Sequence, residues 1–228
     1  FKDFKNTMQE NIEPNTNKGV EQTNNPESNT NPLYINWDDY FATFALMTSL
    51  RSKDPDRKVG AVIVSKDNRI LSTGYNGAPL GISDEEMPWT KVGDTLKTKY
   101  AYVVHAELNA ILGYNNDKSL LKGAKIYTTL FPCNECMKAI IQSGITEVVY
   151  LDNHNFAKDT YTGARYMINI HNKNNNVPKI TLRAYTITAE AKNLMINAIL
   201  ENRTIVPNKK VEEYDETMKL SLKNNRNK

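Results

Sequence analysis

Two short stretches constrain this chain more than any other part of its sequence. The first contains His105 and Glu107, and the second contains Cys133 and Cys136 in a Pro-Cys-x-x-Cys arrangement. Together they supply one imidazole, one carboxylate and two thiols. A zinc ion with one imidazole and two thiolates as ligands keeps a fourth position open for water, as catalytic zinc sites do. The two stretches therefore predict a catalytic zinc centre and a fold that brings them together.

The spacing within each stretch fits a metal centre built at the ends of two helices. Residues i and i+2 of a regular helix lie far apart on its surface, but at a helix N-terminus the geometry relaxes and His105 and Glu107 can both converge on a metal. Cys133 and Cys136 share one face of a first helical turn, where free N–H groups favour the thiolate. We therefore assign His105, Cys133 and Cys136 as zinc ligands.

Glu107 is then the catalytic residue, placed beside the water at the open zinc position. Zinc lowers the pKa of such a water toward ~7, which gives a nucleophile near neutral pH. The carboxylate can take the water's proton and pass it to a ring nitrogen and then to a departing amine. A His-x-Glu stretch followed by Pro-Cys-x-x-Cys is typical of zinc-dependent deaminases, so the expected reaction is hydrolytic deamination.

Three other interpretations of these residues stay open. Cys133 and Cys136 could form a redox dithiol, although such a pair is expected in a thioredoxin-like context. The zinc could be structural and closed by His154 or His171, although their spacing fits no zinc-finger pattern. His105 could be a core histidine with its own hydrogen-bond partners rather than a ligand.

Composition argues against several classes of protein. A net charge of +3 over 228 residues is too small to indicate a nucleic-acid or membrane surface. No apolar run approaches the roughly 18 residues that span a bilayer, and no secretory h-region is visible. Both cysteines lie in the motif, which predicts a reducing compartment, the cytoplasm or the nucleus. The chain begins with Phe1 rather than methionine, so a preceding targeting segment could have been lost.

The chain divides into three parts by composition and periodicity. Residues 1–35 are rich in Asn, Glu, Lys, Thr and Pro, and this predicts a disordered tail. Residues 36–186 are expected to form the zinc-dependent catalytic domain. Residues 187–228 are expected to form an extension with helices at 188–202 and at about 211–222.

Helices and strands are predicted to alternate through the central part. A helix over 36–52 is indicated by apolar residues at helical spacing, namely Trp37, Tyr40, Phe41, Phe44, Met47 and Thr48. Strands are expected at 59–65, 70–74, 126–129, 147–151 and 179–185, and further helices at 104–112, 133–143 and 162–170. Residues 77–100 show no period and form a long loop, which in a compact domain tends to be functional. This alternation predicts an α/β sandwich around one mixed sheet.

Several linked motifs resemble the deoxycytidylate (dCMP) deaminase family of zinc-dependent deaminases. They are 51–55 (RSKDP), 59–61 (VGA), 74–77 (GYNG), 83–84 (SD), 88–89 (PW), 105–111 (HAELNAI), 130–136 (LFPCNEC), 140–145 (IIQSGI) and 147–150 (EVVY). The resemblance implies a three-layer α/β/α cytidine-deaminase-like fold and one catalytic Zn²⁺ on His105, Cys133 and Cys136. It also implies hydrolysis of dCMP to dUMP with Glu107 as proton shuttle, which would supply dUMP for thymidylate synthesis.

The same resemblance implies a set of substrate-binding residues. Asn76 would meet the sugar hydroxyl, Ser52 and Lys53 would lie near the phosphate, and Arg165 is a further phosphate candidate. An amide both donates and accepts, and an ammonium beside a hydroxyl suits a phosphate. Judged on residue type alone, Asn76 could instead be a turn residue and Lys53 a solvated charge.

Regulation and assembly are also implied by the resemblance. The expected effectors are dCTP as activator and dTTP as inhibitor, acting through the loop 77–89, with Mg²⁺ accompanying the regulatory nucleotide. The expected assembly is a homo-oligomer, in many relatives a hexamer, with no membrane or nucleic-acid partner. The chain departs from the family pattern at Ile82, where a cysteine is common.

The sequence leaves two rival functions open. One is a deaminase for another base, either tRNA adenosine, cytidine or a purine; a polynucleotide substrate would favour a basic groove. The other is a catalytically silent regulatory zinc protein, which would have no need of Glu107.

Overall fold

Within residues 34–201, which a computed structural model describes, the fold is a five-stranded mixed sheet with helices on both faces. The strands are β1 (Gly60–Val64), β2 (Ile70–Tyr75), β3 (Lys125–Thr128), β4 (Glu147–Tyr150) and β5 (Thr181–Ala184). The helices are α1 (Trp37–Ser49), α2 (Ala106–Leu112), α3 (Asn134–Ser143), α4 (Asp159–Lys173) and α5 (Ala189–Glu201). The strand order is β2-β1-β3-β4-β5. Strand β1 is antiparallel to both neighbours, whereas β3, β4 and β5 are parallel.

Successive residues of the central strands enter two different apolar cores. In β1, Ala61 and Ile63 join a cluster with residues of α2, α3 and α4, whereas Val62 and Val64 join a cluster with residues of α1 and α5. Side chains of a strand alternate between the two faces of the sheet. A run of aliphatic residues is therefore expected when both faces are covered. The three-layer α/β/α arrangement predicted from the sequence is confirmed.

The predicted strands and helices within the described residues are present, with bounds that shift by a few residues. The helix expected at 162–170 extends over Asp159–Lys173, and the strand expected at 179–185 is limited to Thr181–Ala184. The helix predicted at 211–222 and the predicted tail up to residue 33 lie outside the described residues. The proposed domain boundaries stay predictions. None of the helices described here combines the length and apolarity needed to cross a membrane.

Helix α1 lies where it was predicted, but the predicted apolar stripe does not face the sheet. Phe41 is fully buried. The other four large members of the stripe are exposed, namely Trp37, Tyr40, Phe44 and Met47. The buried side carries Ala42 and Ala45 instead, because the helix backbone lies very close to β1. A Cβ atom added to Gly60 would be 2.0 Å from the backbone oxygen of Ala45, so small residues are required at this contact.

A second glycine allows the helix after His105 to pack directly on the sheet. A Cβ atom added to Gly74 of β2 would lie 2.2 Å from the backbone oxygen of Ala106 and 2.3 Å from the backbone nitrogen of Ala110. Such an approach of two backbones is possible only when one residue has no side chain. Gly74 therefore fixes how closely α2 approaches β2, and with it the position of His105.

We predict that Gly74→Ala displaces α2 from the sheet. The added methyl group overpacks a backbone contact, so the free energy of unfolding is expected to fall by roughly 3 kcal/mol. Zinc content is expected to fall as well, because His105 moves with the helix. Urea unfolding and metal analysis measure both effects. Gly77→Ala is the control, since the atom nearest to its added Cβ would be Cε2 of Tyr75 at 3.9 Å. Wild-type stability and zinc content in Gly74→Ala would contradict the prediction.

Candidate active site

One histidine and both cysteines converge at the N-termini of two neighbouring helices. His105 is the N-cap of α2, Cys133 is the N-cap of α3, and Cys136 lies in the first turn of α3. Nδ1 of His105 is 3.4 Å from Sγ of Cys133 and 3.4 Å from Sγ of Cys136. Tetrahedral zinc, with Zn–N near 2.0 Å and Zn–S near 2.3 Å, separates such ligand atoms by about 3.5–3.8 Å. The three side chains therefore fit a zinc ion.

Backbone pairing holds both helix starts at the same edge of the sheet. Gly77 and Val104 form an antiparallel bridge, with N···O distances of 3.1 and 2.9 Å, which places the residue before His105 beside the end of β2. The nitrogen of Phe131 donates to the oxygen of Asp152 at 2.8 Å, which places the segment before Cys133 beside the end of β4. The two ligand-bearing segments are thus fixed by contacts that do not involve the ligands themselves.

Glu107 lies in the first turn of α2 and is only 4% exposed. Burial raises the pKa of its carboxyl, and the neighbouring groups include His105 and the thiol of Cys136. A carboxyl whose pKa is raised above its usual value holds a proton more readily, which suits a group that takes up and releases a proton during a reaction. The structure therefore places the predicted catalytic carboxyl beside the predicted metal ligands, in a setting suited to proton transfer.

The two thiols and the imidazole have unequal affinities for protons. The hydrogen bond with Cys136 lowers the pKa of Cys133 to about 4, and that hydrogen bond together with burial raises the pKa of Cys136. The hydrogen bond with Cys133 raises the pKa of His105 to about 9. A metal ion requires thiolates and a neutral imidazole, so its binding would displace the protons held here. Both cysteines are free thiols, and a histidine nitrogen at equal distance from both favours metal binding over a redox dithiol.

The surroundings of the cluster favour an open site over a closed one. Cys136 is buried, but Cys133 is only partly buried and His105 is exposed. His154 and His171 do not join the cluster. Nδ1 of His154 lies 2.6 Å from a carboxylate oxygen of Asp152, and Nε2 of His171 lies 3.0 Å from the oxygen of Pro178. Neither histidine is thus placed to supply a fourth ligand.

Asn76 and Ser52 occupy a common buried network. The hydroxyl of Ser52 donates to the backbone oxygen of Asn76 at 2.7 Å. Oδ1 of Asn76 accepts from the nitrogen of Val59 at 2.7 Å. Nδ2 of Asn76 donates to the backbone oxygen of Arg57 at 2.9 Å and to Oδ2 of Asp54 at 3.1 Å. Asn76 is therefore more tightly held than a simple turn residue, and its role toward the sugar stays a prediction.

Lys53 and Arg165 lie outside that network. Nζ of Lys53 forms an exposed ion pair with Asp84 at 2.6 Å. Nη1 of Arg165 donates to the oxygen of Phe156 at 2.7 Å, and its guanidinium lies 3.5 Å from the centroid of the Phe156 ring. Both cations have partners in this structure, and their roles toward a phosphate stay predictions.

Reasoning from the sequence missed one residue of this region. Lys99 is 6% exposed and forms an ion pair with Asp54, which is 2% exposed. A lysine in a loop without periodicity is expected to be solvated, so its own sequence context gives no indication of this pairing. The one sequence feature that could have suggested a cationic partner is the carboxylate of Asp54, which belongs to the 51–55 motif.

The sequence is similar to a family model and to several known proteins. Residues 35–152, more than half of the chain, match the family model for the cytidine and deoxycytidylate deaminase zinc-binding region. A probable deoxycytidylate deaminase of Drosophila melanogaster is 48% identical over 149 residues, which cover 63% of this chain and 72% of the relative. The deoxycytidylate deaminase of Homo sapiens is 46% identical over 138 residues, covering 60% and 76%. Among solved structures, dCMP deaminase from the cyanophage S-TIM5, in complex with dCMP and dUMP, is 23% identical with a TM-score of 0.49, covering 65% of this chain and 96% of that one.

We predict that Cys133→Ala abolishes stable zinc binding, because two ligands cannot retain the ion in a site that needs three. Atomic absorption on the purified proteins is expected to give about one zinc per wild-type chain and almost none for the variant. His154→Ala and His171→Ala are the controls, since neither histidine reaches the cluster. Loss of zinc from either control would instead indicate a closed structural site.

Proposed function

Because this chain belongs to the cytidine and deoxycytidylate deaminase family, we propose that it hydrolyses dCMP to dUMP and ammonia. The observation that carries the proposal is the position of Glu107, buried beside three side chains that fit a zinc ion. Relatives from fly and human named as deoxycytidylate deaminases share nearly half of their aligned residues with this chain, and they support dCMP as the substrate.

The proposed mechanism divides the work between the metal ligands and Glu107. His105, Cys133 and Cys136 would hold the zinc ion. When bound, zinc acts as a Lewis acid that lowers the pKa of a water at its open position toward ~7. The Glu107 carboxylate takes the proton from the attacking water and delivers it to the ring nitrogen of the pyrimidine. Glu107 then takes the proton of the hydroxyl group added to the ring carbon and passes it to the exocyclic amine, so that the carbonyl forms, the C–N bond breaks and ammonia leaves.

Asn76 is the proposed contact for the sugar. Its Nδ2 donates two hydrogen bonds and its Oδ1 accepts one. An amide oxygen has two lone pairs, so Oδ1 retains one with which to accept from a sugar hydroxyl. Ser52 and Lys53, with Arg165 as a further candidate, are proposed for the phosphate on the resemblance to the family. To bind the phosphate, Lys53 would have to leave its ion pair with Asp84.

Regulation, assembly and location are proposed on the resemblance alone. The proposed effectors are dCTP and dTTP, bound with Mg²⁺ at the loop 77–89. The proposed assembly is a homo-hexamer, and the proposed location is the cytoplasm. The product dUMP would serve thymidylate synthesis.

We predict that Glu107→Gln keeps the fold and the zinc but lowers kcat by roughly 10²–10⁴, the usual contribution of a general acid–base. The decrease in pyrimidine absorbance on deamination measures the rate. Glu135→Gln is a matched control, because Glu135 holds the same second position in α3 that Glu107 holds in α2 but is exposed. Its rate is expected to equal that of the wild type. A zinc-loaded Glu107→Gln variant with wild-type turnover would contradict the assignment.

The substrate is tested by incubating the zinc-loaded protein with dCMP, dCTP, cytidine or tRNA and measuring ammonia release. We expect kcat/KM for dCMP to exceed the others by about tenfold or more, because a site built for a sugar phosphate loses contacts with other substrates. Deamination of tRNA or cytidine, with no deamination of dCMP, would support a deaminase for another substrate. A zinc-loaded protein that leaves every substrate unchanged would support a silent regulatory protein.

A further inference from the structure

A lysine from the long loop before α2 is buried against an aspartate from the segment after α1. Nζ of Lys99 lies 2.7 Å from both carboxylate oxygens of Asp54 and 3.2 Å from Oδ2 of Asp56. Desolvation opposes the burial of both charges, so a buried ion pair is weak evidence for a gain in stability. The ion pair between Lys99 and Asp54 is therefore better explained by the groups that it holds in position.

Asp54 connects this lysine to Asn76. Besides Lys99, its carboxylate accepts from the backbone nitrogens of Asp56 at 2.9 Å and Arg57 at 3.2 Å, and from Nδ2 of Asn76 at 3.1 Å. The two backbone donors hold the carboxylate from its own segment, and the ammonium of Lys99 holds it from the loop. The oxygen that faces Asn76 is therefore fixed in place by charge as well as by the local turn.

The partners of the Asn76 amide leave only one orientation for it. The N–H of Val59 can only donate, so it must face Oδ1; the carbonyl of Arg57 and the carboxylate of Asp54 can only accept, so they must face Nδ2. In this orientation the one unused lone pair belongs to Oδ1. Without Asp54 in place, Nδ2 loses one of its two acceptors, and the amide is less firmly held.

Along the chain, Lys99 lies between Asn76 and the metal-ligand candidate His105. Asn76 follows β2 directly, and Gly77 pairs with Val104, which precedes the metal-ligand candidate His105. The loop 78–103 thus leaves the sheet at Asn76 and returns at the metal centre. Lys99 lies on the returning arm and contacts the residue that orients Asn76.

We infer that Lys99 is a positioning residue that orients the Asn76 amide through Asp54 and thereby sets the affinity for the nucleotide. The inference rests on the proposed function, because it takes Asn76 as a substrate contact. The Lys99 side chain takes no part in the backbone pairing and helix starts that hold the zinc ligands and Glu107, so its replacement is expected to change binding more than proton transfer.

The test replaces the ammonium by an uncharged group of similar length. Lys99→Met is expected to raise KM for dCMP about tenfold, the equivalent of one hydrogen bond to the substrate, while kcat and zinc content stay close to wild type. Because this change leaves Asp54 buried without its partner, Lys99→Met/Asp54→Asn provides a second variant that has no unpaired charge. It is expected to fold and to show the same rise in KM.

Three further variants separate positioning from a purely structural role. Asn76→Ala is expected to raise KM by itself, and adding Lys99→Met to it is expected to raise KM no further, because both changes act through one amide. Lys91→Met is the matched control from the same loop. Lys91 pairs with Asp56 at 2.9 Å and is exposed, so its removal is expected to leave KM unchanged.

The outcomes distinguish this inference from the proposed function. A wild-type protein that does not act on dCMP overturns the proposed function. If the wild type acts on dCMP, an unchanged KM in Lys99→Met, whatever its melting temperature, overturns the inference alone. An unchanged KM in Asn76→Ala does the same. The inference is also overturned if the effects of Lys99→Met and Asn76→Ala on KM multiply, or if neither Lys99 variant folds. A shared, non-additive rise in KM supports it.

Discussion

The approach of two helix N-termini is the constraint on which the rest of this molecule depends. The first turns of α2 and α3 lie close enough for one imidazole nitrogen to be 3.4 Å from two sulfur atoms. Each N-terminus presents unpaired N–H groups and the positive end of a helix dipole. These dipoles favour negative charge at the site and so oppose the effect of burial, which raises the pKa of the Glu107 carboxyl. Gly74 lets the first of these helices lie directly on the sheet, and the pairing of the preceding segments keeps the two helix starts together.

The chemistry of the site could be predicted from the sequence because it is local. His105 and Glu107 are two residues apart, a spacing that a helix start can bring to one ion, and Cys133 and Cys136 share one turn. The sheet was also predictable, since aliphatic runs such as β1 are typical of strands buried on both faces. The same runs carry no alternation of polar and apolar residues. The cluster that each residue joins could therefore be learned only from the structure.

The rest depends on contacts between residues that are distant in the chain. The spacing of aromatic residues in α1 indicated which side of the helix is buried. The side that is buried is instead set by the close contact of the helix backbone with Gly60 of β1. Lys99 meets Asp54 across 45 positions of sequence, and no local pattern marks a loop lysine as buried. In both cases a backbone approach or an ion pair overrides the tendency that the local sequence expresses.

The bridge between Gly77 and Val104 has a consequence for how such a chain can change over time. It joins the two ends of the loop 78–103, so the loop is closed at its base whatever residues it contains. Each doubling of the length of a flexible loop adds only about 0.6 kcal/mol of closure entropy. Insertions and deletions near its tip can therefore accumulate without moving the metal-ligand helix. A binding specificity carried by that tip is free to evolve while the reaction centre stays the same.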